Sequence, residues 1–197
     1  MPLLMTMMAL TLLTGLGTVL VVGTMTETAV TAAYRRALEA FYAADAVVEF
    51  AIRDLAMRDD WDAVLSGAET SALVDGAPAG TRQVGATLVD FVRATAEVDA
   101  LLAARAMPPS APSQMFAYGR FEDLVASTEA AAPAYVCVWV AEPVTDEEEV
   151  PPVRLLYVVG RAYGATGGRR TVLVTVARPL DPAELGTLQV RSWEEPQ

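Results

Sequence analysis

No proline occurs between Pro2 and Pro78, so nothing in that interval forces a helix to end. Residues 3–23 carry no charge and are mostly apolar. They run directly into TMTETAVTAAYRRALEAFYAADAVVEFAIRDLAMRDD, which has amphipathic character as far as Asp60. The pattern predicts one near-continuous helix over residues 3–58, bending at most where Gly15, Gly17 and Gly23 loosen it. At 1.5 Å per residue such a helix is roughly 84 Å long. A bilayer core takes only about 20 residues of it. Residues 3–23 are therefore read as a transmembrane segment, and the remainder must lie against something else. The chain divides on this reading into an N-terminal helix, 1–58, and a globular head, 59–197.

A cleaved signal peptide is the competing reading of the first 23 residues. No basic stretch leads into them, however, and no small-x-small site precedes a polar start. The nearest basic residues are Arg35 and Arg36, beyond the segment, so charge leaves its orientation open. The small residues Ala9, Gly15, Gly17 and Gly23 would let other helices approach closely.

Beyond the membrane segment, Tyr34, Leu38, Phe41, Val48, Ile52 and Leu55 fall at heptad-like spacing, with Asp45 at the remaining seam position. This seam is the candidate packing and assembly surface: Tyr34, Leu38, Phe41, Asp45, Val48, Ile52 and Leu55. Phe41, Val48, Ile52 and Leu55 are expected to pack on one face of a sheet. Asp45 either pairs with a neighbouring chain or faces water. Arg35–Glu39 and Glu49–Arg53 are i,i+4 pairs, worth a few tenths of a kcal/mol each.

About 140 residues remain, enough for one sheet-based core. Residues 61–83 read as a linker, with turn signals at Ser66-Gly67, Asp75-Gly76 and Pro78 to Gly80. Leu88, Phe91, Val92, Thr95, Val98 and Leu102 keep helical spacing and predict a helix over about 88–105, with a short strand at 83–89 competing for its start. MFAYG reads as a short strand and RFEDLV as a helical turn. AYVCVWVAE (134–142), VRLLYVVGRAY (153–163), RRTVLVTVARP (169–179) and TLQVRSW (187–193) are β-branched and aromatic, and read as strands. Val136, Val138 and Val140 should share one face, against Tyr135, Cys137 and Trp139. Val172, Val174 and Val176 should oppose Leu173 and Thr175. GATGG joins two strands as a hairpin, and no connection has room for a crossover helix, so the sheet is antiparallel. The fold class is α+β: a long N-terminal helix packed on an antiparallel sheet of about four strands.

The composition narrows the chemistry. A formal charge of −11 argues against nucleic acid as a partner. With no His, the commonest general base and metal ligand is missing; with no Lys, so are Schiff-base and P-loop chemistry. The single cysteine, Cys137, cannot form an intrachain disulfide, and its strand position suits a small buried hydrophobe better than a nucleophile. The acidic run 146–149 lacks the spaced ligands and glycine turn of a calcium loop and reads as a solvated charge run. No catalytic residue, metal ligand or cofactor is assigned.

An apolar segment flowing into RRALEAFYAADAVVEFAIRDL resembles the N-terminal helix of type IV pilins and pseudopilins. It is most similar to minor pilins of the PilX type, in which an Arg-bearing stretch precedes an alanine-rich run ending in an acidic residue, Ala, x, Val or Leu, and Glu. Residues 40–49 carry the likeness, through Tyr42, Ala43, Asp45, Ala46 and Glu49 above all. GRAYGATGGRRTVLVTVARP resembles more loosely the last hairpin of the same group. Two features depart from the family. The sequence starts in the apolar segment with no basic leader ending in Gly, and no acidic residue precedes Glu27, where many members carry a Glu close to the start of the mature helix.

The resemblance implies a non-enzymatic minor pilin-like subunit of a type IV pilus. It would sit in the bacterial inner membrane as a single-pass protein, with a periplasmic head, before incorporation into the filament. Its partners would be other pilins and the pilus assembly platform. A type II secretion pseudopilin is the nearest alternative. A membrane-tethered binding module is another; it would be favoured by a concave pocket lined with Tyr118, Tyr135 and Trp139.

Overall fold

The computed structural model describes residues 2–124, 134–144, 153–179 and 188–196. The chain forms two compact units, Met1–Leu38 and Glu39–Gln197. The first unit is helix throughout its described residues, and the helix to which it belongs, α1, spans Pro2–Ala56 without a break. The glycines at 15, 17 and 23 do not interrupt it.

The second unit begins with the rest of α1 and centres on a five-stranded sheet. Its strands are β3 (Gln114–Arg120), β4 (Ala134–Ala141), β5 (Val153–Gly164), β6 (Arg169–Pro179) and β7 (Gln189–Glu194). They lie in chain order and every neighbouring pair is antiparallel. The expected sheet of about four strands thus gains the MFAYG segment as an edge strand. The β5–β6 hairpin turns through the glycine-rich GATGG stretch, where Gly167 adopts φ +91° and the amide of Gly164 donates to the Gly168 carbonyl at 2.8 Å. A left-handed φ suits glycine because it has no Cβ to clash.

Strict alternation gives the sheet two apolar faces. One carries Val136, Val138, Val140, Val158, Val172, Val174 and Val176, and forms a single core with Ala43, Ala44, Val47, Val48, Ala51 and Leu55 of α1. The other carries Tyr135, Cys137, Trp139, Tyr157, Val159 and Leu173. That face is covered by α3 (Phe91–Ala103) and by a separate hairpin of β1 (Thr81–Val84) and β2 (Thr87–Asp90). A sheet buried on both sides reads as near-continuous apolar strands, as β4, β5 and β6 do.

Local chemistry explains where these elements start and stop. The predicted helix at 88–105 begins only at Phe91, because Leu88 and Val89 are taken by β2 and Asp90 caps α3 by accepting from the Arg93 amide at 3.1 Å. The stretch expected as plain linker contains α2 (Trp61–Leu65), capped by Asp60, which accepts from the amides of Asp62 and Ala63 at 2.9 and 3.2 Å. Residues 71–75 run along β3 and close that sheet edge: Ser71 N donates to Phe116 O, Tyr118 N to Leu73 O, and Asp75 N to Tyr118 O, at 2.8–3.2 Å. The RFEDLV turn is α4 (Phe121–Leu124). The acidic run 146–149 lies outside the described residues.

Candidate assembly helix

The first, apolar half of α1 is compatible with a bilayer at both side chain and backbone. By length and composition it could cross a membrane, and none of its most apolar stretch is buried within the chain. Leu3, Leu13 and Leu20 are each more than two-thirds exposed. Seven threonines interrupt the apolar residues. Each donates its hydroxyl to a carbonyl three or four residues back, from Thr6 to Leu3 O at 2.9 Å through Thr14 to Leu10 O at 2.7 Å and Thr28 to Thr24 O at 2.7 Å. Such back-bonding satisfies the hydroxyl without water, which is what makes threonine tolerable in lipid.

The threonines are not spread evenly. At about 100° per residue, Thr6, Thr11, Thr14, Thr18, Thr24 and Thr28 fall with Gly17 in an arc of about 140°. The same arc also holds Leu3, Met7, Leu10 and Val21, while Thr26, Gly15 and Gly23 fall outside it, so apolar residues surround the helix on every side. A Cβ added at Gly15, Gly17 or Gly23 would meet nothing within 4 Å. These glycines therefore serve no packing need inside the chain, although glycine in a helix interior costs about 0.5–1 kcal/mol relative to alanine.

From Ala40 onward the helix belongs to the head core. Its buried face is Ala40, Ala43, Ala44, Val47, Val48, Ala51, Asp54 and Leu55, which follows the 3–4 spacing of a helix lying on a sheet. The seam residues divide accordingly. Val48 and Leu55 are fully buried, Phe41 and Ile52 are half-buried against the same core, and Asp45 is half-buried. Tyr34 and Leu38, in the first unit, are exposed at 68% and 38%. Tyr42, at 59% exposure, packs edge-on to Phe41 with ring centroids 5.8 Å apart. The alanines lie outside the heptad-spaced seam of larger residues expected to make this contact. They are the centre of the contact, because small residues let the helix backbone come down onto the sheet. At Gly160 of β5 a Cβ would stand 2.2 Å from Val48 Cγ2 and 3.0 Å from the Ala44 carbonyl oxygen. Gly160 is the hole into which the helix settles.

The C-terminal end of α1 is held by side chains from elsewhere rather than by a glycine cap. The Trp61 indole N–H donates to Leu55 O at 3.2 Å. Arg178 of β6 donates to Arg58 O at 2.8 Å and lies 5.4 Å from the Trp61 ring centroid. Arg58 bridges back to Asp54 and across to Glu69, both at 3.1 Å. Arg154 ties α2 to the sheet through Asp62 at 2.5 Å and Glu142 at 2.6 Å, and these hydrogen-bonded carboxylates push its pKa up.

On the opposite face, Glu97 of α3 receives Arg161 at 3.0 Å and Arg93 at 3.1 Å, and also pairs with Arg169. Burial pushes the Glu97 carboxyl up, but Arg93, Arg169 and Arg161 together outweigh it and hold it below the ordinary carboxylate range. Tyr118, Tyr135 and Trp139, whose lining of a pocket would have favoured a binding module, are at most 2% exposed and form the core beneath α3. Trp139 spends its N–H on Thr95 Oγ1 at 2.9 Å. Cys137 is fully buried, and burial pushes its thiol pKa far up, away from a nucleophile's range.

Comparison with known proteins bears on the helix alone. Residues 3–49 match the family model described as PilX N-terminal. The chain opens with a PilX-type pilin N-terminal region. The match spans the apolar half of α1 and the start of its sheet-bound half, and it includes Tyr42, Ala43, Asp45, Ala46 and Glu49. It fits a pilin-like role, with an apolar helix suited to membrane anchoring and to incorporation in a pilus, and the family is a structural one. No curated protein and no solved structure gives a match.

Proposed function

We propose that this chain is a minor pilin-like subunit of a type IV pilus, non-enzymatic, assembling through α1 and presenting the α+β head on the periplasmic side of the inner membrane. One observation carries the reading: the PilX-type region coincides with a helix whose first part is apolar and uncovered by its own chain. The unbroken continuation of the helix supports it: a plain anchor needs no helix that runs on to Ala56 and carries a seam beyond its apolar stretch.

Other pilins and the assembly platform are the partners on this reading, and Tyr34, Leu38, Phe41 and Asp45 are the seam residues left accessible to them. Val48, Ile52 and Leu55 lie further along the same seam, where they hold the head to its helix. Site-directed cross-linking tests the proposal, because the native Cys137 is buried and stays silent. Cysteines placed singly at Thr14, Thr18 or Tyr34 are expected to cross-link to other pilins in intact cells. A ladder showing only uncross-linked chain at all three positions would overturn the reading.

A further inference from the structure

The two edges of the five-stranded sheet are treated differently. Residues 71–75 cover β3, hydrogen-bonding its outer backbone. β7 pairs with β6 on one side, and among the described residues no backbone hydrogen bond reaches its other side. Natural edge strands are blunted by charged side chains, proline, bulges or a covering segment; of these, β7 carries one bulge and the ion-paired Glu194. On β7 the core-facing positions are apolar. Val190 and Trp193 lie opposite Val176 and Val174, hence on the face that α1 packs against, and they remain 50% and 40% exposed.

The strand also carries an unspent charge. A register shift between Thr175 and Val176 leaves Arg191 without a partner residue on β6, as in a bulge that re-aims a side chain. Every other arginine of the second unit has a carboxylate or carbonyl partner. Among the described residues, Arg191 has none, in a chain whose net charge is −11.

We propose that the outer edge of β7 is a strand-addition site that takes an extended segment of another polypeptide. An open edge offers alternating N–H and C=O groups that an extended backbone matches in register. Val190 and Trp193 ask for apolar side chains on the side facing α1, and Arg191 asks for a carboxylate. The occupant is therefore a β-strand of alternating apolar pattern bearing an acidic residue. This site does not depend on the pilin reading.

Hydrogen exchange on the full chain in detergent tests it, using short peptides of alternating Val and Thr as probes. The peptide with one central Glu should slow exchange at residues 189–194. Replacing that Glu with Lys should weaken binding roughly tenfold, and replacing it with Pro should abolish the protection, since proline removes a ladder donor. In the Arg191→Glu chain the preference should reverse, the Lys peptide now binding better. Arg191 is exposed, so this variant keeps the fold. Slow exchange of all β7 amides in the chain alone would mean the edge is already covered and would overturn the proposal. Equal protection by the Pro peptide, or an unchanged preference in Arg191→Glu, would do the same.

Discussion

Gly160→Ala is the smallest perturbation that reaches the contact between α1 and the sheet. The new methyl would sit 2.2 Å from Val48 Cγ2, 3.0 Å from the Ala44 carbonyl oxygen and 3.4 Å from Val47 Cγ1. Two of those atoms belong to side chains and could shift; the carbonyl is helix backbone and cannot move without the whole turn. Val48 and Ala44 are both fully buried, so neither has free space to retreat into. Overpacking of this kind costs about 1–3 kcal/mol. Against it stands the reduced entropy of the unfolded chain when Gly becomes Ala, worth about 0.4–1 kcal/mol. The steric term wins, and a net loss of about 1–2 kcal/mol is expected. Urea unfolding of a soluble fragment beginning near Thr24 measures it. Val48→Ala removes the closest atom, so the double variant should be more stable than the sum of the single effects by at least about 0.5 kcal/mol. A neutral Gly160→Ala, or strict additivity, would refute the claim that the helix seats itself in this hole.

Three further outcomes follow from particular residues. Leu55→Ala, at a fully buried position, should cost about 2–5 kcal/mol, while Phe41→Ala, at a half-buried one, should cost less than the roughly 3–5 kcal/mol of a core phenylalanine; equal losses in urea titrations would contradict the assigned helix face. Because the Glu97 carboxyl is held below its ordinary range, its contribution is present above that range and lost as pH falls through its folded value. Glu97→Gln should therefore flatten the acid limb of a Tm-against-pH curve, and an unchanged limb would count against the Arg161–Glu97–Arg169 cluster. Cys137, fully buried with its pKa pushed up, should resist iodoacetamide in the folded chain and react at the rate of unfolding; fast labelling under native conditions would show that β4 is not in the core.

Most of the fold was legible because its signals are local. The proline-free run fixes α1, and period-two alternation separates Val136, Val138 and Val140 from Tyr135, Cys137 and Trp139, as the two core clusters have them. What escaped was set by tertiary context. Ala43, Ala44 and Ala51 carry little hydrophobic signal, and their role appears only opposite Gly160. Phe41 and Ile52 fit the heptad-like spacing, yet the close approach at the alanines leaves them at the margin of the contact. Residues 71–75 have no strand pattern and gain their extended form from the β3 edge they cover. The apolar half of α1 was readable in its length and composition.

On the proposed function, residues 3–23 act in assembly and do not merely anchor. Replacing them with an unrelated transmembrane helix of equal length separates the two roles, and the measurement is the amount of variant recovered in sheared filaments relative to that in the membrane fraction. The account predicts wild-type levels in the membrane and near-complete loss from the filaments. Recovery in the filaments at wild-type levels would contradict it, and α1 would then be a tether for a head that works alone.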